Sequence, residues 1–387
     1  MSGPPKTRGA EGGERGERAR AGTLLPARGV HLQYSIEAGG QQGPDISNGL
    51  FQLLQAVHGQ GSILAAAKAL DASYRHVWGA LKRWEELLGA PLLNWVQGQP
   101  AQLTPLAQRL LWAETRARAR MAPHIEALRV ELERVLAEAL DGDRPALTVL
   151  ASHGLAAAGG DLHLDLRFAG SVEALQALAD GRCSVAGFHV PALPEGSLQF
   201  AAAMKPRLQP GRHKLVGCMR RSQGLMFRRG LKPVPASLAD VARQGLRFIN
   251  RQPGAGTRLL MEHLRQQAGL ADDAIRGWDE PPEESHLAVA AAVASGVADV
   301  GPGVAAAAHH FGLDFAPLVD EDYYLVCLKD GLDEPPMQAL RALLAGAAWR
   351  QALAALPGYA PSPAAGQVLS LTRALPWWRF HTPRRAG

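Results

Sequence analysis

With 387 residues, 47% of them apolar and 20% charged, the chain is too long for one ordinary domain and too apolar for global disorder. Residues 1–30 lack the apolar stretch of a secretory leader, and no later apolar run is long enough to cross a bilayer, so a cytoplasmic protein without a membrane partner is expected. The net charge of +5 permits nucleic-acid binding without demanding it, and three scattered cysteines, Cys183, Cys218 and Cys327, read as buried free thiols rather than a metal site.

Residues 1–28, dominated by Gly, Pro and Arg, read as a disordered basic arm. Residues 31–37 alternate apolar and polar side chains as a short strand does. From Ile46 onward, Leu50, Leu53, Leu54 and Val57 form the stripe of an amphipathic helix. Ser62 can cap a second, Ala-rich helix, and Ser73 a third whose inner face is Val77, Leu81, Trp84 and Leu88. Three short helices in succession make a helix-turn-helix core. Residues 92–103 then read as strand, turn and strand, the hairpin of a wing.

Thr104 can cap a longer helical region in which Pro123 restarts or kinks the helix. Within it Met121, Ile125, Leu128, Leu132 and Val135 alternate spacings of four and three, which suits packing on the protein's own core or, for an arm between two domains, the expected helix-helix dimer, or a tetramer. After residues 141–145, strand patterns at 147–151, 162–168, 185–190, 215–219, 247–250, 299–301 and 323–328 alternate with helices. These helices start near Ser171, Ser237, Gly256, Ser285 and Pro336. This second unit reads as α/β with a largely parallel sheet and enough strands for two lobes.

Candidate contacts fall in two groups. The third helix turns Arg75, His76, Trp78, Lys82 and Arg83 away from its apolar stripe, cationic and aromatic groups together on the face that would enter a major groove. Arg75 and His76 could reach base edges, whereas Lys82 and Arg83 suit phosphates. In the second unit Gly254, Gly256, Thr257 and Arg258 open a helix after a strand, where backbone N–H groups and the helix dipole favour an anion. Ser152 with His153, Ser171, and Ser285 with His286 repeat a hydroxyl donor at a strand-to-helix junction. Such donors suit an oxyanion or a carboxylate. No Ser-His-Asp spacing, HExxH or acid pair suggests an enzyme, and Cys218 has no activating neighbour. A transport-type binding protein would share the second unit's fold, and the helix-turn-helix pattern argues against it.

The stretch 61–89, followed by 91–93 and 103–104, resembles the winged helix-turn-helix of the ModE and LysR regulator families. The resemblance carries operator binding, by a dimer, to Ser73, Tyr74, Arg75, Trp78 and Lys82; Ser62 joins His76 and Arg83 as a further candidate DNA contact. Ser73, Tyr74 and Trp78 are closer to ModE, the molybdate-responsive branch, and residues 88–92 are shared with LysR. The stretches 151–153, 170–175, 186–189, 221–225, 250–260, 286–299 and 313–317 resemble periplasmic-binding-protein-like sensor domains of the type found behind ModE-type domains. That likeness implies two lobes, strand crossovers near 221–227 and 322–328, and a small effector such as molybdate or tungstate, with no resident cofactor.

The expected chain is therefore multidomain. A disordered arm (1–28) precedes a helix-rich winged helix-turn-helix (29–110), a dimerisation helix (111–142), a two-lobed α/β binding-protein-like sensor of type II (146–357) and a tail (358–387). The expected partners are operator DNA, a small-molecule or oxyanion effector, and a second copy of the chain.

Overall fold

The computed structural model describes residues 48–94, 101–141, 146–151, 163–193 and 198–378. The expected arm, the strand at 31–37, the tip of the wing, and Ser152 with His153 lie outside these residues.

Helices α1 (Asn48–Gln60), α2 (Ile63–Ala69) and α3 (Tyr74–Leu88) close a small core of Leu50, Leu54, Val57, Ile63, Ala66, Val77 and Leu81. Both expected caps form: Ser62 Oγ accepts from Ala65 N–H at 3.1 Å and Ser73 Oγ from His76 N–H at 3.1 Å. Gly89, at φ 64°, ends α3 in the left-handed conformation that glycine adopts without a Cβ clash. Strands β1 (Leu93–Asn94) and β2 (Gln102–Leu103) pair antiparallel and anchor the wing through buried Leu93 and Leu103.

Helix α4 (Pro105–Asp141) runs 37 residues, through Pro123 and across the boundary expected at 110/111. Thr104 starts it, accepting from Ala107 N–H and donating to the carbonyl of Pro91, which fixes the helix to the base of the wing.

Beyond α4 come β3 (Ala146–Ala151), β4 (His163–Phe168), α5 (Ser171–Ala179), β5 (Val185–Pro191) and α6 (Leu198–Met204). The 15-residue strand β6 (His213–Phe227) follows, then α7 (Leu238–Arg243), α8 (Gly256–Gln267) and α9 (His286–Ala294). Next are β7 (Val300–Val304), α10 (Ala305–His310) and a second 15-residue strand, β8 (Asp314–Leu328). Elements α11 (Pro335–Ala345), α12 (Ala347–Ala354), β9 (Tyr359–Pro361), β10 (Val368–Ser370) and α13 (Leu371–Ala374) complete the domain.

The sheet is mixed, not largely parallel. Among the described strands of this sheet, β3 with β4 and β3 with β5 run parallel, whereas β5–β8, β6–β8, β6–β7, β6–β9 and β6–β10 are antiparallel. The long antiparallel pair β6 and β8 carries the chain from one lobe to the other, which is why the expected strands 215–219 and 323–328 are each a fragment of a longer one. β9 and β10 join β6 at residues 214–221 and β7 joins it at 223–227, so the lobes meet near Arg221 to Gln223. Gly224 is required there, since a Cβ would lie 2.1 Å from the carbonyl oxygen of Ala316. The expected strand 247–250 contributes only an isolated bridge from Phe248 to Val300. Residues 359–378, read from sequence as a tail, belong to the domain: β9 and β10 are three residues each, too short to show alternation, and gain their order by pairing with β6.

Candidate functional site

Two arrangements stand out, one on α3 and one where the lobes meet. On α3, Ser73, Tyr74, Arg75, His76 and Arg83 are exposed. Tyr74 stacks on Trp78 with ring centroids 6.4 Å apart and planes 9° from parallel, and Lys82 Nζ lies 5.0 Å from the centre of the Trp78 ring. Lys82 also holds Glu85 at 2.6 Å, and Glu85 Oε1 accepts the N–H groups of Leu92 and Leu93 at 2.8 and 3.2 Å. Partial burial works against the Glu85 carboxylate, yet Lys82 and the two backbone donors together hold its pKa below the ordinary value. Lys82 is thus committed partly to the wing, while Arg75, His76 and Arg83 face outward. Ser62 spends its hydroxyl on the α2 cap.

Where the lobes meet, Ser171 at the start of α5 and the 254–257 junction at the start of α8 come together. A Cβ on Gly170 would lie 3.3 Å from the carbonyl oxygen of Gly254, and one on Gly256 would lie 3.6 Å from Ser171 Oγ. Ser171 Oγ accepts from His189 N–H at 3.3 Å, and Thr257 Oγ1 accepts from Gln223 Nε2 at 3.0 Å. Gln223 also reaches Glu321 at 3.2 Å, and Glu321 Oε1 lies 2.5 Å from Arg221 Nε and 3.1 Å from His189 Nδ1. Every one of these side chains is buried.

The sequence reading misses the strongest charge here, Arg251. Its guanidinium is buried and donates to the carbonyl oxygens of Glu283 at 3.2 Å and Glu284 at 2.7 Å. Among the described residues no carboxylate stands within ion-pair distance of it. Burial, with the like charge of Arg221 adding to it, lowers its pKa to about 10. Arg221 faces the same burial, but Glu321 beside it holds its pKa above the ordinary guanidinium value. His189 is pushed well below its ordinary range, first by burial and then by Arg221 and Arg251, so it is neutral at neutral pH. Of these two buried guanidinium groups, Arg221 is paired with Glu321, and Arg251 has no paired carboxylate among the described residues. Beside them Asn250 is wholly buried. Its Oδ1 accepts from Arg251 N–H, and its Nδ2 has no partner among the described residues.

The remaining expected contacts are placed elsewhere. Arg258 is bound to Glu262, the carbonyl of Trp278 and Asp279, and lies over the Trp278 ring, serving α8 rather than the junction. Ser285 caps α9 by accepting from Ala288 N–H and donates to the carbonyl of Ala119 on α4 at 3.4 Å; it is covered by the linker helix. His286 is half-buried at the first turn of α9. A depression of about 450 Å³ lined by Leu150, Arg167, Ala169, Glu173 and Arg182 holds none of the expected contact residues. The three cysteines are buried free thiols, and burial pushes Cys327 up to about 11 and Cys218 further, so neither is a nucleophile at neutral pH.

Residues 49–108 match the family described as bacterial regulatory helix-turn-helix protein, lysR family, and residues 153–345 match the PBP superfamily domain. The chain joins a LysR-type helix-turn-helix to a PBP-like domain. A Bacillus subtilis (strain 168) protein, described as uncharacterized protein YvgK, is 30% identical over 194 residues; the match spans 50% of this chain and 61% of that protein. A hydrogen-peroxide-bound OxyR variant of Corynebacterium glutamicum is 16% identical with a TM-score of 0.40, covering 80% of this chain and 94% of the other. Full-length CbnR in complex with its target DNA (17%, TM-score 0.35, 78% and 98%) and ArgP from Mycobacterium tuberculosis (18%, 0.32, 77% and 96%) are similar to the same degree. Among the described residues no helix is long and apolar enough to cross a membrane.

Proposed function

We propose that the chain is a cytoplasmic, ligand-responsive transcription regulator that reads operator DNA through α3 and senses a small anion where the two lobes meet. The observation that carries the anion reading is Arg251: a buried guanidinium without a carboxylate, beside the unpartnered Nδ2 of Asn250 and the backbone donors opening α8. Burying an uncompensated charge is costly, and a bound anion offsets that cost. Oxyanions come first, with molybdate and tungstate the specific forms to try. A small carboxylate is the second reading, because the planar fork of a guanidinium matches it in two parallel hydrogen bonds.

The DNA reading rests on exposed Arg75, His76 and Arg83 at the open face of a capped recognition helix, with Tyr74 held in place by its stack on Trp78. The dimer reading rests on Met121, Leu128, Leu132 and Val135, which are 40–52% exposed along one face of α4. The test has two parts. Selection from a random DNA pool should return a two-fold-symmetric site bound selectively at moderate salt; loss of selectivity there overturns the regulator reading. A thermal-shift series with molybdate, tungstate, sulfate and small carboxylates should raise the melting temperature with concentration for at least one class. No shift with any of them overturns the anion reading.

A further inference from the structure

The linker helix is bolted to the sensor domain a few residues from Arg251. Arg120 on α4 forms two hydrogen bonds to Glu283, Nε to Oε2 at 2.9 Å and Nη2 to Oε1 at 2.6 Å. The Glu283 side chain is 3% exposed and that of Arg120 58%, so the acid is fixed in the domain and the base reaches in from the helix. One residue before Arg120, the carbonyl of Ala119 accepts from Ser285, and the Ala119 side chain packs between Ala288 and Ala291 of α9. His124, one turn further along, lies 3.6 Å from Glu284 at the surface.

The same three residues, 283–285, are held from the other side by the segment 250–252. Glu283 N–H donates to the carbonyl of Asn250 and the Glu283 carbonyl accepts from Gln252 N–H. Arg251 supplies the other grip, donating to the carbonyls of both Glu283 and Glu284. A single extended segment thus touches the uncompensated guanidinium with its backbone and the linker helix with its side chains.

We infer that residues 283–285 form a latch whose hold on α4 is released when an anion draws the Arg251 guanidinium off the two carbonyls, so that the effector acts on DNA binding by freeing the linker helix. An anion is a stronger acceptor for a guanidinium than a neutral carbonyl, which gives the competition its direction. Freed carbonyls leave Glu283 with fewer restraints, and Arg120 is its hydrogen-bond partner on α4. At 100° per residue Arg120 sits on the face next to Met121, Ile125 and Leu128, so a small rotation of α4 about this contact re-aims the apolar seam. This deepens the proposed function and rests on its anion reading for the trigger, while the mechanical link between Arg251 and α4 stands apart from it.

The test is hydrogen exchange on the full chain, read at residues 116–124 and 283–288. Arg251→Met removes the grip without any ligand and should speed exchange at both segments by roughly tenfold, the effect of losing charge-assisted hydrogen bonds. Arg120→Ala, changing a side chain more than half exposed, should give the same pattern on α4 and keeps the test alive if Arg251→Met does not fold. The charge exchange Arg120→Glu with Glu283→Arg should return 116–124 towards the wild-type rate. Faster exchange confined to 250–257 and 283–284 in Arg251→Met, with 116–124 unchanged in both single variants, overturns the latch. Molybdate and sulfate added to the wild type should speed exchange at 116–124, and to Arg120→Ala should change nothing further. If neither anion shifts the melting temperature, the anion reading fails, and the latch is then judged on the variants alone.

Discussion

The chain holds its two notable sets of cations, the ones proposed to meet anionic partners, in opposite ways. On α3, Arg75, His76 and Arg83 stand in water, where their charge costs nothing to maintain and a polyanion is met by exchanging counterions. Between the lobes, Arg221 and Arg251 are buried, and of the two only Arg221 is paired with a carboxylate, that of Glu321, among the described residues. The exposed set suits a long, repeating partner and should be sensitive to salt. The buried set suits one small ion, is shielded from salt, and ties recognition to the stability of the domain. The contrast makes separate predictions for the two regions.

The largest effect is expected in the buried set. Glu321→Ala leaves two guanidinium groups buried without a counter-charge, and breaking a buried pair costs about 3–5 kcal/mol. Chemical denaturation should show that loss, with the small helix-turn-helix domain unfolding as before if the two regions are independent. A loss below about 1 kcal/mol would mean that water or another acid already compensates the cluster, and the contrast would fail.

The next effect concerns how the exposed set is doubled. Leu128→Glu with Leu132→Glu places charge on the apolar face of α4, where each leucine is worth about 1.5–3 kcal/mol on burial. Sedimentation should show the dimer weakened by about a hundredfold or more, and operator affinity should fall with it. An unchanged assembly would place the seam against something other than a second copy.

Within the exposed set, Arg75→Ala should cost about 1–3 kcal/mol on the selected operator and relax preference at one base pair. Arg83→Ala should weaken all sequences alike and lower the slope of log affinity against log salt by about one. Competition binding at two salt concentrations separates the two roles, and identical behaviour of the two variants would reduce the α3 face to a non-specific one.

How much of this was legible beforehand follows the same division. The α3 site is local: Ser62, Ser73, Arg75, His76 and Arg83 lie within 22 residues, so helical periodicity and cap chemistry locate them without any tertiary information. The proposed anion site is assembled from α5, β5, β6, β8 and the segment before α8, and only its hydroxyl and glycine members announce themselves, because they open helices. Ser171 and Gly256 do meet, whereas Ser285, of the same local pattern, is turned to α4. Arg251 sits two residues before the proline of an ordinary-looking turn, and nothing in its neighbours says that its charge is buried. The parallel-sheet expectation failed for a related reason: strand patterns report which residues pair, not that β6 and β8 each run 15 residues and pass between lobes.

The smallest effect tests whether the exposed domain is free of charge-linked stability altogether. Glu85 is the exception there, since its carboxylate gathers Lys82 and the N–H groups of Leu92 and Leu93, fastening α3 to the wing. Its folded pKa lies below the ordinary value of 4.5, so its contribution is present above that value and is lost as the pH falls through the lower, folded one. Because the group is near the surface, the contribution is about 1 kcal/mol at most. Glu85→Gln should therefore flatten the decline in stability of the helix-turn-helix domain between about pH 5 and pH 3, followed by near-ultraviolet tryptophan signal. At neutral pH the same change releases Lys82 from its partner, so the salt slope of DNA binding should steepen, by less than the full unit expected of a wholly free lysine. A steeper slope joined to an unchanged pH profile would separate the two uses of Lys82 and place the fastening of the wing in Thr104 and Pro91 instead.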